Sequence, residues 1–327
     1  MQRRYGFAAV LIAAGVQVQA EVIDEPLQLS NRQPFVQLFN LPPMRSAEVL
    51  PAAATEWRGA IDVANNFVRE HRDDEQLFFD GESQRYELSA RYGIGHNVEL
   101  GVSVPWISCN GGALDGFIDD WHRWWGLPRG GRPDFRSHQV AFNYQRDGHT
   151  EFNFANAESG FGDVQISAAW QWIKSSQNAV ALSGYINLPT GDVDKLTGTG
   201  KTSAGFSVAA THDRLFDLPL ALSANIGAQY LPRVDVLREE QKQYAWFADT
   251  EINWVVAQDW RLKAQLQTHS AIYDSGLRAL GTNPVQLLLG GSVKLSPHWM
   301  LDTAVGEDVL VDTAPDVTLQ LALRAIY

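Results

Sequence analysis

With 327 residues, 38 acidic against 26 basic side chains and a formal net charge of -12, the chain is too acidic to favour nucleic acid as a partner. A single cysteine, Cys109, excludes an internal disulfide; no paired Cys/His set, Walker-type loop or dinucleotide fingerprint occurs, so neither a metal nor a cofactor is expected. After Ala20 no stretch of roughly eighteen apolar residues occurs, so a membrane span there would have to be a closed barrel and not a helix.

The chain opens on Met1-Gln2-Arg3-Arg4, continues with an apolar run from Phe7 to Val16, and reaches Val18-Gln19-Ala20, a small-residue cleavage pattern. Residues 1–20 therefore read as a signal peptide for Sec export, cleaved after about Ala20, since the apolar run is about half the length of a spanning helix. Cleavage takes Arg3 and Arg4 from the 26 basic residues and moves the formal net charge from -12 to -14. With no cysteine following the cleavage site, a lipid anchor is disfavoured. Residues 21–54 hold five prolines, at positions 26, 34, 42, 43 and 51, which disfavours helix and ladder strand alike. Phe35, Val36, Leu38, Phe39 and Leu41 make this segment too apolar for a disordered leader, so it is expected to enter from the periplasm as a small plug.

From residue 55 onward the pattern has period two. Trp57, Ile61, Val63 and Phe67 oppose Arg58, Asp62 and Asn66; then Tyr86, Leu88, Ala90, Tyr92 and Ile94 oppose Arg85, Glu87, Ser89 and Arg91. After Gly95-His96-Asn97 the alternation resumes with Val98, Leu100, Val102, Val104 and Trp106 against Glu99, Gly101 and Ser103. Comparable hairpins follow over 163–188, 204–228, 252–266 and 285–301, and a last strand runs from Val317 to Tyr327. About twelve strands result, so the expected fold class is all-β, a transmembrane antiparallel up-and-down β-barrel over 55–327. Short turns near 95, 175, 216, 258 and 297 alternate with longer polar connections over 70–82, 108–160, 189–201, 231–243 and 271–283, the asymmetry of periplasmic turns and extracellular loops. Trp260 and Trp299 directly follow polar turn residues, where an aromatic would sit at the inner bilayer interface. A soluble sandwich also alternates. The 11 tryptophans, the export signal and apolar faces without a covering layer weigh against it.

The longest connection places Phe117, Ile118, Trp121, Trp124 and Trp125 at helical spacing, opposite Asp115, Asp119 and Arg123, with Gly126-Leu127-Pro128 as the stop. A short amphipathic helix is expected there, capping the lumen, with the lipid headgroups or neighbouring loops as its other resting places. Asp73, Asp74, Glu75, Asp80 and Glu82 gather in the first outer connection; their spacing matches no calcium loop, and a solvated charged loop is expected. In the last strand Leu323 and the terminal Tyr327 share one apolar face with Val317, Leu319, Leu321 and Ala325, which resembles the signal read by the barrel-assembly machinery. The face expected to line the lumen carries Arg58, Asp62, Arg85, Glu87, Arg91, Glu99, Asp163, Asp249, Glu251, Arg261, Lys263, Lys294 and Arg324. The signs nearly balance, so a salt-bridged interior that supports the wall is favoured over a charge-guided path.

Asn31-Arg32-Gln33-Pro34-Phe35, Leu41-Pro42-Pro43, Asp115-Gly116-Phe117-Ile118 with His122, Gly126-Leu127-Pro128 and Leu188-Pro189-Thr190-Gly191-Asp192 together resemble the DUF3187 family of proteobacterial outer-membrane proteins. The resemblance spans about Pro26 to Tyr327. The Leu-Pro-Thr-Gly-Asp element is also similar to that of barrels linked to aromatic-compound uptake. The resemblance implies a barrel in the cell outer membrane and implies no catalytic or binding residue. The resulting expectation is a non-enzymatic barrel for passive passage of small solutes, apolar ones included. Two other readings stay open: a lipid-active hydrolase of the outer membrane and a non-conducting envelope scaffold. The hydrolase would need a Ser–His pair at the outer rim; His269 is the one strand histidine placed there, and its neighbour Ser270 faces the other way. The partners expected are outer-membrane lipids and lipopolysaccharide, the assembly machinery during biogenesis, and a small-molecule solute.

Overall fold

The computed structural model describes residues 23–112 and 140–327. Residues 1–20, expected to be a signal peptide, and the residues of the expected loop helix, Phe117, Ile118, Trp121, Trp124 and Trp125, lie outside the described residues. One sheet contains β1 (Thr55–Arg72), β2 (Glu75–Gly95), β3 (Val98–Asn110), β4 (Ala141–Arg146), β5 (His149–Phe154), β6 (Glu158–Phe161), β7 (Gln165–Lys174), β8 (Asn178–Asn187), β9 (Ser203–His212), β10 (Leu220–Tyr230), β11 (Tyr244–Ala257), β12 (Trp260–His269), β13 (Val285–Lys294), β14 (Trp299–Asp308) and β15 (Val317–Ile326).

Twelve of these strands close into a ring. β7 to β15 pair antiparallel in chain order. β15 then returns to β1, with Trp57 opposite Ala325 and Ile61 opposite Leu321. The pairings β1–β2, β2–β3 and β3–β7 complete the circuit, so the ring has no free edge to template aggregation. Alternation decides which side chain goes where. Trp57, Leu88, Ile166, Phe206, Ile226 and Leu262 are exposed and form an outward apolar belt, while Arg58, Asp62, Arg85, Gln265 and Arg324 are buried on the inner face. Trp260 and Trp299, each beginning a strand after a short turn, are exposed at that end of the belt.

Two connections differ from expectation. Residues 70–82 are not a loop, because the β1–β2 ladder runs on to Arg72 opposite Glu75 and reverses at Asp73-Asp74, where Asp73 takes φ 52°. Above the ring the inward positions become apolar too, with Val68 opposite Phe79 and both buried, so the polar–apolar contrast that marks a strand disappears. The 108–160 connection likewise contains wall. β4 takes the place of β3 beside β2 from Glu75 to Asp80, β5 pairs with β4, and β6 pairs with β3 before the chain breaks at 162–164 and resumes as β7. β11 also starts earlier than its pattern announced, since Ala245 and Phe247 are buried beneath loops and both faces of its first turnings are apolar. Among the described residues the two α-helices, α1 (Pro34–Gln37) and α2 (Arg278–Gly281), have four residues each.

Candidate functional site in the filled lumen

A twelve-stranded ring encloses more room than its inward side chains can fill, because eight strands already suffice for a side-chain core. Residues 23–54 occupy that room. Side chains or backbone groups of this segment meet every strand of the ring. Arg32 bonds Asp62 on β1, Asn40 accepts from Arg85 on β2, Arg45 bonds Glu99 on β3, and the Ala47 carbonyl accepts from Gln171 on β7. Further round, Asn40 donates to Asn187 on β8, the Ala47 amide to Thr211 on β9, and the Leu27 amide to Glu251 on β11. The Phe39 carbonyl accepts from Gln229 on β10, Asn31 contacts His269 on β12, and the Ile23 carbonyl accepts from Arg324 on β15. Leu27 and Leu29 pack with Leu288 of β13 and Ala304 of β14. A segment that touches the inner face of the whole circuit runs through its middle.

At the short-turn end the filling is ionic. Arg91 Nη2 lies 2.6 Å from Glu25 and 2.8 Å from Glu56, and its Nη1 lies 3.2 Å from Glu99. Arg324 continues the chain of charges, 2.6 Å from Asp302 and 3.4 Å from Glu56. Asp24 receives Arg261 at 3.0 Å and Lys263 at 3.4 Å, and Lys263 also donates to the Glu25 carbonyl at 2.5 Å. Burial alone would raise the Glu25 carboxyl, but Arg91, Arg45 and Arg324 hold it down at about 2. A second group lies further along the axis, where Arg32 pairs with Asp62 at 2.7 Å and Glu87 receives Arg85 at 2.7 Å and Arg58 at 3.4 Å. Beside the turn of the segment at Pro42–Ser46, two hollows of about 40 Å³ separate it from the serine-rich inner faces of β2, β3, β7 and β8.

At the long-loop end the filling is apolar. Pro34 starts α1, and the Gln33 side chain accepts from the Val36 amide, a cap that turns the chain so that Phe35 and Phe39 point into one cluster. Phe35 meets Phe79 edge-to-face at 4.9 Å and Phe152 at 5.0 Å, and Tyr273 stands 6.0 Å from Phe35 and 6.4 Å from Phe39. Leu196, Leu231, Leu237 and Leu280 from the three loops that follow β8, β10 and β12 close over them.

Most of the charges read from the alternation as lumen-facing enter these contacts, but not all as ion pairs. Asp163 is buried at the break between β6 and β7, where it accepts from the Gly191 and Thr199 amides at 2.8 Å and the Thr199 hydroxyl at 2.7 Å. The Leu188-Pro189-Thr190-Gly191-Asp192 element thus clasps the broken wall. Thr190 accepts from the Val164 amide and donates to the Gly162 carbonyl, and a Cβ on Gly191 would stand 2.6 Å from the Gly198 Cα. Asp249 accepts from Asn225, and Glu251 takes the Leu27 amide. Lys294 is exposed at the last position of β13 and lines no part of the filled interior. The acidic group of the first connection is no solvated loop: Asp80 and Glu82 are buried, and Glu75 accepts from Tyr144, Ser275 and the Gly276 amide. His269 spends Nε2 on Asn31 and Nδ1 on the Ser270 carbonyl, which leaves neither nitrogen for a nucleophile. Leu323 and Tyr327 both face outward; the Tyr327 backbone exchanges two hydrogen bonds with Thr55 at the seam, and its ring stacks on His298. The partners that sequence reading missed are Asp24, Glu25, Arg32 and Arg45, which sit on a segment without any period, and Glu56, which shares the parity of Arg58 and Asp62.

A closed antiparallel ring with an apolar outer belt and polar inner contacts defines a transmembrane β-barrel of the outer-membrane type. The family model described as "Protein of unknown function (DUF3187)" matches residues 6–327, and the chain belongs to that family. No curated protein matches the sequence. Among solved structures, the COG4313 outer membrane channel from Pseudomonas putida F1 is similar in fold, with a TM-score of 0.52 at 12% identity over 86% of this chain and 98% of that one. The Ralstonia pickettii toluene transporter TbuX gives a TM-score of 0.40 at 10% identity, covering 84% and 89%. The CymD monoaromatic hydrocarbon channel gives 0.39 at 12% identity, covering 93% and 94%.

Proposed function

We propose that this barrel conducts small solutes passively across the outer membrane, through a passage that residues 23–54 open and close. In this reading the short turns and the C-terminal end of β15 face the periplasm. One observation carries the reading. Among the described residues, the backbone from Ile23 to Ala52 makes no backbone–backbone hydrogen bond to a wall strand, while the wall closes through its own ladders. The segment is held by side chains, so it can move without unpairing the barrel. Its ionic contacts regain water when it leaves, which makes their release cheap compared with breaking a sheet. A solute then passes between the serine-lined wall and the Pro42–Ser46 turn.

A closed scaffold is the second reading, favoured by the aromatic cluster that seals the long-loop end. Planar-bilayer recording separates the two. The full chain should show brief openings, and a variant lacking residues 24–50 should show a steady ohmic current. A deletion variant that inserts, keeps its heat-modifiable mobility and stays silent would sink the transport reading and leave the scaffold.

A further inference from the structure

The outer surface carries a feature that the lumen does not explain. A groove of about 760 Å³ crosses the apolar belt diagonally from Leu301, the third residue of β14, to Trp106, the ninth of β3. It exists because Gly59 has no side chain: among the described residues nothing stands within 4 Å of the position its Cβ would take, while Ile61, Leu88 and Leu323 rise around it. The groove climbs with the strand tilt towards the long-loop end, and there it meets a second hollow of about 650 Å³. The two share Trp106 and Phe161, which stand edge-to-face at 5.0 Å.

The second hollow is of opposite character. It is lined by Ser159, Thr190, Asp192, Lys195 and Lys201 among others. Lys195 reaches Asp192 only at 3.8 Å with both side chains about half exposed, and Lys201 spends one N–H on the Arg233 carbonyl at 2.5 Å, leaving its charge facing the hollow. Two ammonium groups against one carboxylate make this mouth cationic on a chain whose net charge is -12. We infer that the paired hollows hold one amphiphile, a lipid of the outer leaflet with a phosphate-bearing head. Its phosphate lies between Lys195 and Lys201, Trp106 and Phe161 flank its neck, and one acyl chain follows the Gly59 groove down the wall. Charge complementarity selects the head, and the continuity of the apolar groove with the cationic mouth selects a lipid over a soluble anion.

The test uses the full chain in detergent and native mass spectrometry, titrated with diphosphoryl lipid A and, separately, with a phosphate-free glycolipid of the same acyl chains. One equivalent of lipid A should be retained at concentrations where the phosphate-free lipid is not. K195Q with K201Q should weaken retention about 25-fold, at about fivefold per lysine near a membrane surface. Gly59→Phe should weaken it with both lysines in place, and heat-modifiable mobility reports that each variant is folded. Should Gly59→Phe fail to assemble, the lysine pair still decides. Equal retention of both lipids, retention unchanged in the lysine variant, or displacement of lipid A by millimolar inorganic phosphate would each overturn the assignment, the last by showing a free-anion site.

Discussion

The two ends of the filled lumen are held by different physics. Around Glu25, Arg91 and Arg324 the contacts are ion pairs of 2.6–3.4 Å, whose Coulombic gain is largely cancelled by the cost of taking each charge out of water. Around Phe35 and Phe39 the contacts are apolar, and each fully buried aromatic contributes about 1.5–3 kcal/mol with no compensating hydration to regain. On the function proposed above, the apolar end anchors the segment and the ionic end releases it. The aromatic cluster fixes the segment to the roof of loops, and the ionic end sets its position in the ring while leaving it free to exchange with water.

The largest expected effects set the apolar contacts against the buried ion pairs, including the second ionic group along the axis. Phe35→Ala should cost about 3–5 kcal/mol in equilibrium unfolding, because a cavity opens where four aromatic rings meet. Asp62→Leu alone should cost a similar about 3–5 kcal/mol by stranding the Arg32 guanidinium, but Arg32→Met combined with Asp62→Leu should be close to neutral. A double variant as unstable as Phe35→Ala would break the distinction. Acid sharpens it next. Glu25 sits at about 2 in place of its ordinary 4.5, so its contribution is complete above about pH 4.5 and fades as the pH falls towards 2. Hydrogen exchange should therefore show residues 23–32 loosening across that window while 33–41, held by apolar contact, stay protected. Uniform loosening of both stretches would contradict the division of labour. Asp163→Asn, at the junction between the strand break and the clasping loop, should cost about 1–3 kcal/mol and free the Gly191 and Thr199 amides to exchange. The smallest effect belongs to Lys294→Gln, expected within about 0.5 kcal/mol because the side chain is exposed.

Much of the wall was legible because each half-wet strand writes its own period: Tyr86 to Ile94 against Arg85 to Arg91 gives strand and face at once. Legibility failed where both faces of a strand are apolar, as at Val68, Phe79 and Phe247, since burial beneath loops removes the contrast on which alternation depends. The candidate site was half legible for the same reason. Wall charges such as Arg91 and Glu99 follow strand parity, whereas their counterparts Glu25 and Arg45 lie on a proline-broken segment whose contacts are set by tertiary structure alone. The balance of charge in the wall pointed to pairing within the wall, not to pairing through a segment that is no part of it. Aromatic periodicity likewise had no means of showing that Phe35 and Tyr273, 238 positions apart in the sequence, meet at 6.0 Å.

If movement of residues 23–54 governs passage, a tether between this segment and the wall should stop it. Asn31 and His269 face each other across 3.1 Å between the segment and β12, and the native Cys109 is buried away from solvent. In a variant carrying Asn31→Cys and His269→Cys joined by a short bis-methanethiosulfonate, whose span replaces the two longer native side chains, single-channel recording should find no openings while the bridge is intact, with openings restored on reduction. The same current in both states, with the cross-link verified, or silence in both, would contradict the account.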